Sequence, residues 1–157
     1  MEQSIIIHIK EVYVSEFQIE PLIVFSPGRI NFIGEHTDYN NGFVFPAAID
    51  KGIYLAIEKS RMSQSEIKAL DFEESFMFHM NQPDEQTHNS WQDYFLGIIA
   101  ELKLKGFELG QVSAVFSGTI DAGAGMSSSA ALENAFVFGL NELFGLGLTK
   151  TEMIHIS

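Results

Sequence analysis

The spacing of apolar residues divides the chain into helix-like and strand-like stretches. Over residues 5–17, Ile5, Ile9, Val12, Tyr13 and Phe17 recur at helical intervals, while Ile5, Ile7 and Ile9 also alternate. The segment is read as a helix. Residues 22–25 are an apolar run stopped by Ser26-Pro27-Gly28, which reads as a strand ending in a turn. Asn40-Asn41-Gly42 is a hairpin signal, with 43–45 leaving it as a strand. Further strands are expected over 53–57, 67–70 and 75–80, and the polar stretch 83–89 reads as a loop.

Two longer helices follow. Ser90 is the expected N-cap of the first, with Asp93 three positions on. Trp91, Tyr94, Phe95, Ile98, Ile99 and Leu102 give it one apolar face, and Gly106 is a natural stop. Residues 112–116 form a strand. Leu132, Phe136, Leu140, Leu143 and Phe144 then set a stripe on the second helix. Thr149-Lys150-Thr151-Glu152 is a capping-box pattern that opens a last helix, which the chain leaves after barely two turns. A helix that short is marginal alone, so the chain reads as interrupted. No repeat or linker is visible, and the whole is expected to be one α+β domain.

Composition narrows the function classes. Hydrophobic residues make up 46% and charged residues 19%, which supports a packed core. The net charge of −12 argues against nonspecific nucleic-acid binding, which needs Lys and Arg against phosphates. A small phosphate ligand remains open, because backbone amides and a metal ion can hold it. There is no Cys, so neither a disulfide framework nor a thiolate metal site is possible. No apolar run approaches the ~20 residues that span a bilayer. A basic leader is also missing, so a soluble, cytoplasmic protein is the default expectation.

Two runs carry chemistry. Gly123-Ala124-Gly125-Met126-Ser127-Ser128-Ser129-Ala130 is a glycine- and serine-rich turn that opens a strongly periodic helix. Glycines let amides approach a ligand closely, and the free N–H groups and dipole of a helix start attract an anion. A serine hydroxyl there can also ligate Mg²⁺ bridging nucleotide phosphates. The Lys of a Walker motif is absent. The earlier run places Arg29, Asn31, Glu35, His36 and Asp38 within ten positions, between Gly28, Gly34 and Gly42. Its guanidinium suits a carboxylate or phosphoryl oxygen, and its carboxylates and imidazole suit vicinal hydroxyls. Zinc is disfavoured, since catalytic zinc usually takes more than one imidazole or a clear helical spacing. His8, His79, His88 and His155 are isolated and are read as surface or satisfied residues.

Residues 28–39 match at every fixed position a pattern that is similar to the galactokinase signature, G-R-x-N-x-I-G-E-H-x-D-Y. The serine turn resembles the ATP motif of the GHMP kinases, P-x-G-x-G-L-S-S-S-A, and Trp91-Gln92-Asp93-Tyr94 resembles that family's W-x-x-Y helix. Asp121 stands where Pro is usual and brings a negative charge near the phosphates. Met126 replaces Leu with little change of volume.

The resemblance implies a GHMP-kinase N-terminal lobe over residues 1–157. That lobe is α+β, a ribosomal-S5-domain-2-like mixed sheet packed with helices, here ending before the C-terminal lobe. It implies a galactose site over 26–39 and an ATP motif over 121–130. Glu35, His36, Thr37 and Asp38 would hold galactose, and Arg29 would sit near the anomeric hydroxyl and stabilise the transferring phosphoryl group. Gly123, Ala124, Gly125, Met126, Ser127, Ser128 and Ser129 would wrap the triphosphate, with Ser129 on Mg²⁺. Trp91 and Tyr94 would border the adenine, although both read equally well as core aromatics. The catalytic Asp, a Mg²⁺-binding Glu and a sugar-contacting Tyr would lie beyond Ser157, so the isolated segment is expected to be nearly inert. Partners implied are galactose, ATP and the C-terminal lobe. Two rivals stand beside galactokinase: a kinase for a related sugar such as N-acetylgalactosamine or arabinose, and a non-catalytic galactose sensor. The intact serine run favours an enzyme over the sensor.

Overall fold

The computed structural model describes residues 2–33, 43–81, 90–120 and 125–157. Helix α1 (Glu2–Phe17) is followed by β1 (Leu22–Asn31), β2 (Pro46–Lys59) and β3 (Ser65–Ala69). A one-turn 3₁₀ helix over Leu70–Phe72 leads to β4 (Glu74–Phe78). Helix α2 (Gln92–Leu104), β5 (Val112–Gly118), α3 (Ser128–Phe144) and α4 (Lys150–Ile156) complete the described elements.

The five strands form one mixed sheet in the order β1-β2-β5-β3-β4. Only β3 and β5 run parallel; the other pairs are antiparallel. Strand β2 is buried on both faces, so its side chains sort by parity. Ile53, Leu55 and Ile57 join the larger core with α2 and α3, while Tyr54 and Ala56 join Ile9, Tyr13 and Val115 beneath α1. This settles the ambiguity at the N-terminus. Ile9 and Tyr13, four apart, are both fully buried, whereas Ile7 is exposed, as a helix and not a strand requires. The Tyr13 hydroxyl donates to the Ser113 carbonyl of β5, and burial pushes its phenol well above the usual range.

The other expected elements hold with several corrections. Strand β1 does not stop at Ser26-Pro27-Gly28 but continues to Asn31, with a shift of register between Pro27 and Arg29. It is an edge strand, where a proline and a bulge are tolerated. Residues 43–45 are not a strand. They are tied to the end of β1 by backbone bonds from the Phe32 amide to the Phe45 carbonyl and from the Phe45 amide to the Ile33 carbonyl. The hairpin expected at 40–42 and the loop at 83–89 lie outside the described residues. Leu70 leaves β3 for the 3₁₀ turn, and Met80 lies past the end of β4 yet is fully buried.

Ser90 does not cap α2. Trp91 takes the cap position with helical angles and no side-chain bond, and the Ser90 carbonyl instead accepts from the Asp93 amide. Gly106 ends the helix as expected, at φ 85°, its amide bonded to the Lys103 carbonyl and that of Phe107 to Leu102. The stripe on α3 is buried at Leu132, Phe136 and Leu140. Among the described residues, no helix is long and apolar enough to cross a membrane.

Helix α4 has the expected capping box: the Thr149 hydroxyl accepts from the Glu152 amide, and the Glu152 carboxylate accepts from the Thr149 amide at 2.8 Å. Hydrogen bonds from the Thr149 amide and then its hydroxyl hold the Glu152 carboxyl below the ordinary value of 4.5. A depressed folded value means that this contribution is present above 4.5 and is lost as pH falls through the lower folded value. We therefore expect ¹³C shifts of residues 150–156 to move towards coil values below that pH. In Glu152→Gln the shifts should no longer follow pH in this range.

Candidate active site

Gly28 lets the two chemical motifs touch. A Cβ on residue 28 would lie 2.8 Å from the Met126 carbonyl oxygen and 2.4 Å from Ile120 Cδ1, so only glycine fits undisturbed. With that space clear, the Arg29 amide donates to the Met126 carbonyl at 3.1 Å. The bond runs from the bulged end of β1 to the turn just before α3, joining segments almost a hundred residues apart in sequence.

That turn has unusual backbone. Gly125 has φ 69° and Ser127 has φ 56°. The left-handed region costs a side-chain-bearing residue about 1–2 kcal/mol, a strain that often marks functional turns. Ser127 occupies the cap position of α3 but its side chain caps nothing. The first helical bond runs from the Ala131 amide to the Ser127 carbonyl at 3.0 Å. The amides of Ser128, Ser129 and Ala130 therefore have no intrahelical acceptor, which is the arrangement that attracts an anion.

A cleft of about 1110 Å³ opens at this helix start. Gly125, Ser127, Ser128 and Ser129 line one side, and Trp91, Asp93 and Tyr94 from the start of α2 line another. Phe116, Gly118 and Ile120 contribute from the end of β5 and beyond, and Asp71 and Glu74 from the 3₁₀ turn and β4. Trp91 is 7% exposed among Phe76, Phe95 and Phe116, as a core aromatic, and it also lines the cleft. Tyr94 is partly exposed at the rim.

Arg29 faces a smaller cavity of about 310 Å³, with Pro46, Ala48 and Asn134. Ser127 is common to both spaces. Among the described residues, Arg29 and the pair Ser128 and Ser129 thus line two spaces that meet at Ser127. Glu35, His36, Thr37 and Asp38, and likewise Asp121, Gly123 and Ala124, lie outside the described residues.

Sequence reasoning missed Asp71 and Glu74. Asp71 accepts from the Ser117 hydroxyl at 2.6 Å and the Gly118 amide at 2.7 Å, pinning the end of β5 where the chain leaves for the serine turn. Glu74 accepts from the Trp91 indole at 2.8 Å. The one available clue was Trp91 itself, since a buried indole N–H needs an acceptor. Among the described residues no group of His, Asp and Glu could hold a metal ion by itself. His8 and His155 are exposed, and His79 shares a hydrogen bond with Gln64.

The galactokinase galactose-binding signature matches residues 11–59, and the GHMP kinases N terminal domain matches residues 93–157. Together these two matches make the chain similar to the N-terminal portion of the galactokinases, within the GHMP kinases. A galactokinase from Thermosipho africanus is 42% identical over 139 residues, covering 84% of this chain and 36% of its own length. The crystal structure of Lactococcus lactis galactokinase complexed with galactose superposes with a TM-score of 0.89 at 31% identity, over 97% of this chain and 40% of that one. Methanococcus jannaschii mevalonate kinase shares the fold, with a TM-score of 0.76 at 16% identity over 87% of this chain and 44% of that one. This chain thus spans well under half the length of these relatives. Its mixed sheet with helices on both faces is the N-terminal fold of the GHMP kinases.

Gly28→Ala should push the end of β1 away from the Met126 carbonyl. We expect a loss of about 1–3 kcal/mol in unfolding free energy, with amide shifts at 127–129 moving more than those of α1. Unchanged stability and unchanged amides would show that the close approach is dispensable.

Proposed function

We propose that this chain is the N-terminal lobe of a galactokinase that transfers the γ-phosphoryl group of ATP to the anomeric hydroxyl of α-D-galactose. The observation that carries the reading is the Arg29–Met126 backbone bond, which sets Arg29, within the galactose-binding signature, against the serine turn. Phosphoryl transfer depends on bringing donor and acceptor together and stabilising charge between them. A bonded junction between a sugar motif and an anion-binding helix start provides that proximity.

In this reading Gly123 to Ser129 wrap the triphosphate of ATP, with the unsatisfied first-turn amides of α3 on its oxygens. Trp91 and Tyr94 flank the adenine at the other wall of the cleft. Arg29 approaches the transferring group from the far side of Ser127, and its guanidinium offsets charge there. Glu35, His36, Thr37 and Asp38 hold the sugar hydroxyls. Mg²⁺ fits the residues present: it keeps several waters and takes few protein ligands beside substrate phosphates. The hydroxyl of Ser129, on the cleft, is the ligand we assign. When bound, the ion neutralises phosphate charge.

The relatives are more than twice as long as this chain. We propose that a C-terminal lobe closes the cleft and supplies the carboxylate that takes the sugar's proton, so that residues 1–157 alone have almost no turnover. ATP as donor places the enzyme in the cytoplasm.

Labelled phosphate transfer from ATP by the complete protein, across galactose, N-acetylgalactosamine and arabinose, tests the assignment. Galactose should be the preferred acceptor. A clear preference for another sugar would replace galactose, and binding of sugar and ATP without turnover would replace the enzyme by a sensor. Asp38→Ala should raise the galactose KM about 10–100-fold, the equivalent of a hydrogen bond to a charged group. ATP affinity should stay near that of the parent, whereas equal loss of both would give Asp38 a structural role.

A further inference from the structure

We propose that Glu74 is a positioning residue for the nucleotide, fixing the orientation of the Trp91 indole in the cleft wall; the inference rests on the kinase reading above. Trp91 is the chain's single tryptophan and is buried, so its N–H must find an acceptor within the protein. That acceptor is the Glu74 carboxylate, Nε1 donating to Oε2 at 2.8 Å. Phe76, Phe95 and Phe116 meet the indole at steep angles, with ring centroids at 6.2, 5.8 and 5.3 Å. These contacts confine the plane of the ring. They do not choose between its two rotations about the Cβ–Cγ bond, because hydrocarbon neighbours offer no strong acceptor. Glu74 makes that choice.

The local backbone shows how Glu74 reaches this place. Glu73 ends the 3₁₀ turn in the left-handed conformation at φ 54°, and β4 begins at the next residue. Glu74 is thereby delivered opposite the start of α2, where Trp91 has no side-chain cap of its own. Glu74 and Trp91 both line the cleft that holds the α3 serines. Trp91, 7% exposed, gives the cleft a pinned patch of aromatic wall beside which a purine base packs, and a freely rotating indole gives up that pre-organisation.

Two readouts on the complete protein test this: calorimetric titration with ATP–Mg²⁺ and, separately, with galactose, and the indole N–H resonance of Trp91, identified by its loss in Trp91→Phe. In Glu74→Leu the indole proton should move upfield and ATP should bind about 3–10-fold more weakly, with galactose affinity kept. Glu74→Gln retains an accepting oxygen and should recover most of both losses. An unmoved indole, an unchanged ATP affinity in Glu74→Leu, equal effects of Leu and Gln, or parallel loss of galactose binding would each overturn the proposal. A parent protein that binds no ATP would overturn the nucleotide reading first and this inference with it. That failure is distinguishable because it precedes any substitution.

Discussion

The Arg29 amide reaches the Met126 carbonyl only because residue 28 has no side chain. That close approach is the constraint around which the lobe is arranged. It fixes the distance between the end of an edge strand and the start of a helix, the two segments to which the proposed function assigns the chemistry. The bulge after Pro27 turns the strand towards the helix, and the left-handed Ser127 turns the helix start back towards the strand. Strain at Ser127 is tolerated because the packed stripe of α3 leaves its first turn no other place.

The two-sided burial of the sheet provides the rigidity this requires. Strand β2 pairs with β1 on one side and β5 on the other, and its two faces feed separate clusters. Neither Arg29 on β1 nor Gly118 at the end of β5 can shift without disturbing β2. Asp71 adds a second restraint by accepting from Ser117 and Gly118, so the chain leaves β5 at a defined angle. A carboxylate beside the proposed phosphate site would be unfavourable in isolation. Here its two hydrogen bonds hold its charge against β5 and the helix dipole lies across the cleft.

Periodicity was most legible where one face alone was buried. The stripes on α2 and α3 and the Thr149–Glu152 box follow directly from residue order. Local signals misled where tertiary context overrode them. Ser26-Pro27-Gly28 has turn chemistry, but an edge strand absorbs a proline and a glycine can serve close approach instead of bending. Ser90 has the composition of a cap, yet the burial of Trp91 decides where α2 begins. The serine turn and its neighbours Trp91 and Tyr94 could be grouped from sequence resemblance, and they line one cleft. Asp71 and Glu74 could not, because an acid in a strand-and-turn segment looks like any solvated acid until its partners are known.

In the proposed function the serine turn and the galactose-binding signature serve one reaction across Ser127. The most direct measurement is a crystal structure of the complete protein with galactose and a non-hydrolysable ATP analogue. The terminal phosphate is expected on the amides at the start of α3, with the sugar's anomeric hydroxyl facing it from the Arg29 side. Nucleotide bound elsewhere, or a sugar separated from the terminal phosphate by the body of the lobe, would contradict it.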